Sequence, residues 1–144
     1  MTLQELKDKW PVLRRIHLEH GTGWYATIDR IMTAIGAAGF DPARDEIRQI
    51  KEKFGTLRFY LVCDALGNEV AEGSDDSNSK RSEAILQAVR GADDSGKFCE
   101  VCGQQGRLLV AGGWWLTRCT NHEEPGSVTP AEYATLYRRH RDGN

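Results

Sequence analysis

Four residues in the carboxyl-terminal third of the chain have the types and spacing of metal ligands. They are Cys99, Cys102, Cys119 and His122, in the pattern Cys-x2-Cys-x16-Cys-x2-His. Thiolate and imidazole groups are the ligands that zinc prefers, and four of them complete a tetrahedral site. A Cys-x2-Cys pair also occurs in redox proteins, and buried thiols can be inert, but neither interpretation explains Cys119 and His122. The spacing therefore predicts a bound zinc ion.

A site with three thiolates and one imidazole is closed, because no coordination position stays free for water or substrate. The sequence also lacks the HExxH motif of zinc proteases. We therefore predict a structural Zn²⁺ and no enzymatic activity. The enzyme alternative needs a second site, for which His17 and His20 are candidates. Two histidines beside a turn are more often surface or capping residues.

The residues around the ligands predict how each one is positioned. Gly103 permits the tight turn that follows the first Cys pair, and two strands then form a hairpin around Gly112 and Gly113. We expect Cys119 and His122 on the first turn of a helix, where residues three apart face the same side. This order is typical of a treble-clef module, and a zinc ribbon is the near alternative.

The residues before the ligands predict an α+β body over residues 1–96, a small antiparallel sheet packed with amphipathic helices. Alternating apolar residues predict a β-hairpin over 46–63, with strands 46–52 and 56–63. Ile47 and Ile50 are out of phase with each other, which indicates either a bulge or burial on both faces of the strand. Segment 65–78 is polar and acidic and is predicted as a loop. Apolar periodicity and capping residues predict four helices before the ligands. The first helix follows a capping box formed by Thr2 and Glu5, and the second covers 13–19. The third covers 23–38, with a cap at Thr22 and a stop at Gly39, and the fourth covers 79–91, with Ile85, Leu86 and Val89 inward.

Residues 97–144 are predicted to form the zinc module and a C-terminal helix over 130–141. The helix begins at a capping box formed by Thr129 and Glu132, with Pro130 at the first helical position. Its basic end, residues 138–141, suits the negative end of the helix dipole and could also contact phosphate.

Two groups of residues are candidates for contact with a partner. Lys51, Lys53, Arg58 and Tyr60 combine cations with an aromatic ring, as single-stranded nucleic-acid sites do, although ordinary solvated side chains on a core hairpin give the same pattern. Trp114 and Trp115 are adjacent in one strand and must point to opposite faces. One of them can pack while the other anchors a partner.

Composition narrows the class of protein further. The chain has 144 residues and a net charge of −2, which argues against a surface built wholly for nucleic acid. No apolar run has the length of a membrane span, and residues 1–10 lack the apolar core of a secretory signal, so we expect a cytoplasmic protein without a membrane role. Such a compartment favours a metal or redox role over a structural disulfide for the Cys99–Cys102 pair, and Cys63 lies apart in an apolar, strand-like run.

Several segments together resemble a group of short, mostly uncharacterised phage and prophage proteins. They are the Gly23-Trp24 helix start, the run KEKFGTLRFY over 51–60, the Cys99–Gly103 turn, Gly113-Trp114 and the segment 117–122. The resemblance implies a mobile-element origin in a host cell, and a zinc site on the four ligands. It leads to the expectation of a zinc-stabilised accessory protein that binds a protein partner, such as a component of a bacterial defence system of the CRISPR–Cas kind. The alternative is a zinc module that binds nucleic acid.

Overall fold

The computed structural model describes residues 1–18, 20–64 and 76–143. These residues form four α-helices, three short 3-10 segments and two separate β-hairpins, a mixed helix and strand architecture. The α-helices are α1 (Leu3–Lys9), α2 (Tyr25–Ala37), α3 (Asp76–Val89) and α4 (Pro130–Asp142). The strands are β1 (Glu46–Lys53), β2 (Thr56–Val62), β3 (Arg107–Ala111) and β4 (Trp114–Arg118), and the 3-10 segments are Pro11–Arg15, Thr22–Trp24 and Arg90–Lys97.

The first helix has the predicted capping box. The Thr2 hydroxyl accepts the Glu5 amide, and the Glu5 carboxylate accepts the Thr2 amide at 2.7 Å. The helix ends before Pro11, since proline disfavours helical backbone in the residue that precedes it. The helix predicted over 13–19 is wrong, because the chain instead forms a 3-10 turn over Pro11–Arg15 and is extended at Ile16.

Helix α2 supplies the centre of the core. It begins two residues later than predicted, after the 3-10 turn at Thr22–Trp24, and Thr22 makes no side-chain cap. The stop at Gly39 is confirmed. Gly39 has φ +104°, its amide bonds the carbonyl of Gly36, and the Phe40 amide bonds that of Ile35. These two bonds form a Schellman motif, which glycine permits because it has no Cβ.

The β1–β2 hairpin is confirmed, and its turn is Phe54-Gly55. Both turn residues have positive φ, as two-residue hairpins with the twist of a sheet require. The register shifts between Ile47 and Gln49, so of the two alternatives the structure shows the bulge. Leu57 and Phe59 face the core, so the cations of the two strands lie on the outward face.

Helix α3 departs from the prediction at two points. It begins at Asp76, so the loop predicted over 65–78 is wrong for its last three residues, and the rest of that segment lies outside the described residues. Ile85 is buried as predicted, but Leu86 is 51% exposed. The reason is that residues 85 and 86 are about 100° apart on a helix, and only the Ile85 side meets α2.

The main hydrophobic cluster lies entirely within residues 6–92. It packs the first two helices, the β1–β2 hairpin and α3 around Trp24, Ile28, Ile35 and Leu57, each of which is fully buried. The β3–β4 hairpin forms a second, smaller buried group with Leu109 and Val110. Within the described residues no helix combines the length and apolarity that crossing a membrane needs.

Candidate metal centre

The four predicted ligands converge on one point. Their ligand atoms all lie within 4.8 Å of one another. The Sγ atoms of Cys102 and Cys119 are 3.7 Å apart, and His122 Nδ1 lies 3.7 Å from Cys99 Sγ and 3.2 Å from Cys119 Sγ. Ligands placed about 2.0–2.3 Å from a tetrahedral ion lie about 3.3–3.8 Å from each other. The cluster therefore has the dimensions of a metal site, and its sulfur atoms are too far apart for a disulfide.

The first pair of ligands lies on a turn that is closed by its own backbone. The Gly103 amide bonds the Cys99 carbonyl at 2.7 Å, and the Cys99 amide bonds the Gln104 carbonyl at 2.7 Å. Gly103 has φ +78°, a conformation that favours glycine. The turn brings Cys99 and Cys102 to the same side while leaving Cys99 buried and Cys102 exposed.

The second pair lies on a turn and not on a helix, so the helix predicted for Cys119 and His122 is wrong. The His122 amide bonds the Cys119 carbonyl at 3.0 Å, and no helix follows until Pro130. Thr120 and Asn121 occupy the middle of this turn, and both have lower intrinsic helix propensity than alanine or leucine. The treble-clef arrangement, which needs a helix here, is therefore not what the structure shows.

The β3–β4 hairpin holds the two turns together, as predicted from Gly112 and Gly113. These glycines have φ values of +56° and +83° and form the two-residue turn. The Glu100 amide bonds the Thr117 carbonyl at 3.1 Å, and the Glu100 carboxylate pairs with Arg118. The first turn is thus attached to the strand that leads directly into Cys119.

The group of four candidate ligands, Cys99, Cys102, Cys119 and His122, is called the metal cluster here. The turn that carries its first two cysteines also packs against the N-terminal part of the chain. The Gly23 amide bonds the Glu100 carbonyl at 2.9 Å, and the indole N–H of Trp24 donates to the Phe98 carbonyl at 2.8 Å. A Cβ at Gly23 would overlap the Cys99 carbonyl and lie 2.5 Å from the Gly103 nitrogen. The backbone of Gly23 therefore contacts the ligand-bearing turn directly, with no room for a side chain.

A second contact joins the two hairpins. The Thr117 hydroxyl donates to the Gly55 carbonyl at 2.7 Å, and Thr117 is fully buried. A Cβ at Gly55 would lie 2.5 Å from Leu108 Cδ1. The turn of one hairpin is thus packed on the face of the other. Whether residues 1–96 and 97–144 fold as separate domains stays a prediction.

The thiols are electrostatically coupled. Burial alone would raise the pKa of Cys99, but the backbone N–H groups of Cys119, Cys102 and Val101 lower it to about 6. The amide of Gln104 acts to lower the pKa of Cys102, yet burial and the neighbouring sulfurs of Cys119 and Cys99 leave it raised. The Cys99 thiolate therefore forms readily, and its negative charge disfavours ionisation of the Cys102 thiol. A bound cation removes this effect, because it stabilises all three thiolates together.

The predicted partner residues fall into two places. Lys51 and Arg58 are directly opposite each other on the outward face of the β1–β2 hairpin, and Lys53 and Tyr60 share that face. Lys51 Nζ lies 5.1 Å from the centre of the Tyr60 ring, and Arg58 lies 3.4 Å from the Asp93 carboxylate. None of these residues lies among the metal ligands.

Trp114 and Trp115 point in opposite directions, as strand geometry predicts. Trp114 is 77% exposed, whereas the Trp115 ring contacts Tyr133 of α4 with 6.3 Å between ring centroids. Tyr133 in turn contacts Tyr137 at 6.4 Å. Trp115 therefore joins the C-terminal helix to the β3–β4 hairpin.

The two histidine candidates do not meet at a site. His17 lies outside the metal cluster, and His20 packs against Trp24 and Tyr25 with Nδ1 3.2 Å from the Gly21 carbonyl. Burial lowers the pKa of His20, so its imidazole is neutral near pH 7. His20 is therefore a neutral ring packed against two aromatic side chains, and its role is in packing.

Sequence reasoning missed the glycines that dock the metal cluster. From the sequence, Gly21 and Gly23 indicate only a turn before the helix over 23–38, and Gly55 indicates only the turn of the hairpin over 46–63. A signal was present, because Gly-x-Gly directly before a buried Trp marks a segment where another backbone can approach closely. The segment that packs against Gly23 lies about 80 residues further along the chain. A local sequence pattern cannot identify so distant a contact.

Comparison with protein-family models, curated proteins and solved structures finds no match to the chain. The resemblance to phage proteins stays a prediction.

Proposed function

We propose that the cluster of Cys99, Cys102, Cys119 and His122 binds one structural Zn²⁺, and that the protein acts by binding a macromolecular partner. Three thiolates and one imidazole at tetrahedral separations form a donor set that suits zinc and leaves no position open for catalysis. The two turns, each placed beside the β3–β4 hairpin, support a zinc-ribbon-like module. No enzymatic step is part of this proposal.

Metal analysis of the purified protein tests the zinc site. We expect one equivalent of zinc in the native protein and less than half an equivalent after Cys102→Ser. Cys63 is the matched control, since it is a free thiol outside the cluster, and Cys63→Ser should keep its zinc. Equal zinc content in both variants would contradict the assignment.

One observation carries the binding function: helix α4 presents an apolar stripe but contains no buried residue. Tyr133, Leu136 and Tyr137 lie at i, i+3 and i+4, on one side of the helix. Leu136 is 51% and Tyr137 61% exposed. Isolated helices of this length are marginal in water, and tyrosine is enriched at the centres of protein interfaces. A protein partner that covers the stripe would account for its exposed apolar side chains and would stabilise the helix.

The class of partner follows from the phage resemblance alone. An accessory protein of a mobile element that lacks catalytic groups can act by occupying a host protein, and a bacterial defence complex of the CRISPR–Cas kind is the proposed target. The structure contributes the surface, and the resemblance contributes the target.

Affinity capture from bacterial lysate with matched variants tests the surface. The double variant Leu136→Ser/Tyr137→Ser should lose the captured protein. Leu86→Ser is the control, because Leu86 is also 51% exposed but lies on α3. The control should retain capture. If all three proteins capture the same set, α4 is not the binding surface.

A second candidate function, nucleic-acid binding, is favoured by the outward face of the β1–β2 hairpin. Lys51 and Arg58 are cross-strand neighbours, an arrangement of like charges that destabilises a hairpin unless an anion lies between them. Lys53 and Tyr60 share this face, so phosphates and one base could be contacted together.

Fluorescence anisotropy with labelled single-stranded DNA and RNA separates the two functions. Nucleic-acid binding predicts an affinity that falls steeply with salt and is lost in Lys51→Glu/Arg58→Glu. Lys80→Glu on α3 is the control for a charge reversal away from this face, with half the charge change of the double variant, and should bind as the native protein does. No binding at low salt would leave the protein partner as the function.

A further inference from the structure

Strand β1 is an edge strand with one side free of backbone pairing. The sheet has two strands, and β1 pairs only with β2 among the described residues. In an antiparallel pair, alternate residues direct their N–H and C=O groups away from the partner strand. Half of the β1 residues therefore offer backbone hydrogen-bonding groups on the free side.

A groove runs along this free edge. Its two parts, of about 690 and 530 Å³, are adjacent, because both are lined by Arg15, Ile16 and Arg48. One wall consists of every residue from 45 to 51, and the other is provided by residues between 10 and 17. A strand face would contribute alternate residues only, so a consecutive run shows that the groove follows the strand edge.

The two ends of the groove differ in chemistry. The end beside α2 is lined by Trp10, Val12, Met32 and Phe40, which together form an apolar pocket. The other end is lined by Arg15, Arg48 and Lys51, beside the Tyr60 ring, and none of the described residues that line it carries a carboxylate. An occupant must therefore be apolar at one end and anionic at the other.

Two of the three cations lack a carboxylate partner within the described residues. Arg15 makes no ion pair, and Lys51 contacts only the Tyr60 ring. Arg48 lies 3.4 Å from the Glu46 carboxylate, a pair in which both side chains are exposed. Their charges are thus available to an anionic ligand in the groove.

We propose that this groove binds an extended peptide segment of a partner protein, which pairs with the free edge of β1. The segment places an apolar side chain in the pocket and carboxylates against Arg15, Arg48 and Lys51. Backbone hydrogen bonds supply affinity in strand addition, and the side-chain pockets supply selectivity. The inference goes beyond the function proposed above, since none of these residues belongs to the stripe on α4.

The charges select this occupant over others. A second copy of β1 in the antiparallel register that sets Arg48 opposite Lys51 would bring like charges together, so that register of self-pairing is disfavoured. A nucleic acid would use the cations but not the apolar pocket, and it would meet the Glu46 carboxylate at that end. An extended acidic segment can pair with the backbone of β1, place an apolar side chain in the pocket and contact the cations at the same time.

Binding of defined peptides to the zinc-loaded full chain tests the proposal by fluorescence anisotropy. The probe is a fluorescein-labelled peptide in which Leu-Phe is followed by alternating Val and Glu. We expect it to bind, and a peptide with Lys for each Glu to bind at least about tenfold more weakly. The double variant Arg15→Glu/Lys51→Glu should reverse this order of affinities. Methylation of alternate backbone nitrogens of the acidic peptide should abolish binding, because it removes the edge hydrogen bonds.

Two protein controls locate the site. Arg14→Glu makes the same charge change beside Arg15 without lining the groove, and Leu136→Ser/Tyr137→Ser changes only the α4 stripe; both should bind the acidic peptide as the native protein does. The proposal fails if the acidic peptide does not bind at millimolar concentration. It also fails if its affinity is unchanged in the variant Arg15→Glu/Lys51→Glu or after methylation of the peptide backbone. It also fails if labelled oligothymidine binds the groove in its place and is lost in the same double variant.

Discussion

At the scale of single residues, the backbone of Gly23 decides how the ligand-bearing turn meets the rest of the protein. The glycine has an ordinary φ and is needed for space, because the carbonyl of Cys99 and the nitrogen of Gly103 occupy the place of a Cβ. Backbone atoms of a closed turn cannot move aside as a flexible side chain can. The closeness of this contact brings Cys99 and Trp24 into one packed unit.

We predict that Gly23→Ala lowers the free energy of unfolding by about 1–3 kcal/mol, because overpacking forces backbone shifts. Gly36→Ala is the matched control. Gly36 lies within α2 with nothing inside 4 Å of its Cβ position, so alanine there should stabilise the helix by about 0.5–1 kcal/mol. Urea unfolding of both variants measures the difference. Equal stability of the two variants would contradict the close docking.

The residues that sequence reasoning identified correctly are those whose role depends on near neighbours. Thr2 and Glu5 cap a helix three residues apart, and Gly39 ends α2 through bonds within one turn. The four ligands were found because their chemistry is specific, although their common point depends on the fold. The inward direction assigned to Leu86 was wrong, because only tertiary packing decides which of two adjacent apolar residues is covered.

At the scale of elements, Asp45 links α3 to the start of β1 through an ion pair with Arg81. Its carboxylate is buried and accepts Arg81 of α3 at 2.6 Å, together with the backbone amides of Asp41 and Asp64 at 2.9 Å each. Burial opposes ionisation, but Arg81 and the two amides outweigh it and lower the pKa of Asp45. Asp64 accepts Arg81 as well, at 3.1 Å. One carboxylate thus links a helix, a strand and two loops.

We predict that Asp45→Asn costs about 3–5 kcal/mol near pH 7, because Arg81 keeps its charge at a nearly buried position without its main partner. A lowered folded-state pKa gives stability that is complete above the unfolded value near 4 and is lost as the pH falls through the folded value. The variant should therefore lose less stability than the native protein on acidification. Urea midpoints at neutral and acidic pH measure this.

Asp94→Asn is the control for this prediction, since Asp94 pairs with Lys97 on the surface and should change little. An Asp45→Asn protein with the native acid profile would show that the contact does not stabilise the fold.

The hairpins were predictable as elements, and the segment 119–122 was not. Gly112-Gly113 adopts positive φ at both positions, which glycine permits without strain, so this turn is a local property of the chain. The other turn is indicated by Gly55 alone, because Phe54 has φ +53°, which is unusual for a bulky residue. Cys119 and His122, three residues apart, suit a helical turn and an isolated turn equally. The low helix propensity of Thr120 and Asn121 favours the isolated turn.

At the scale of the whole molecule, the main core lies within residues 6–92, and the remainder depends on the metal cluster and a smaller buried group. The two parts meet at the Gly23–Glu100 and Trp24–Phe98 bonds and at the Thr117–Gly55 bond. Binding of metal to a cluster of this kind is coupled to folding. Metal should therefore stabilise the contact surface on the N-terminal side as well.

We predict that removal of metal by a chelator speeds hydrogen exchange of the Gly23 amide by at least about tenfold, because its acceptor lies on the ligand-bearing turn. The Phe40 amide is an internal control, since its acceptor is Ile35 within α2, and its exchange should stay unchanged. NMR of the native and metal-free protein measures both rates. Unchanged exchange at Gly23 would show that the turn keeps its position without metal.

The order of the docked segments along the chain has a consequence for biosynthesis. Trp24 leaves the ribosome some seventy residues before Phe98, the acceptor of its indole N–H. During that interval the nascent N-terminal part lacks the hydrogen-bond acceptors that the later segment, with the proposed metal bound, supplies. A cell short of the metal would accumulate chains that lack this contact, which are substrates for chaperones and proteases. Cellular abundance of the protein would then follow metal supply, with no change in transcription.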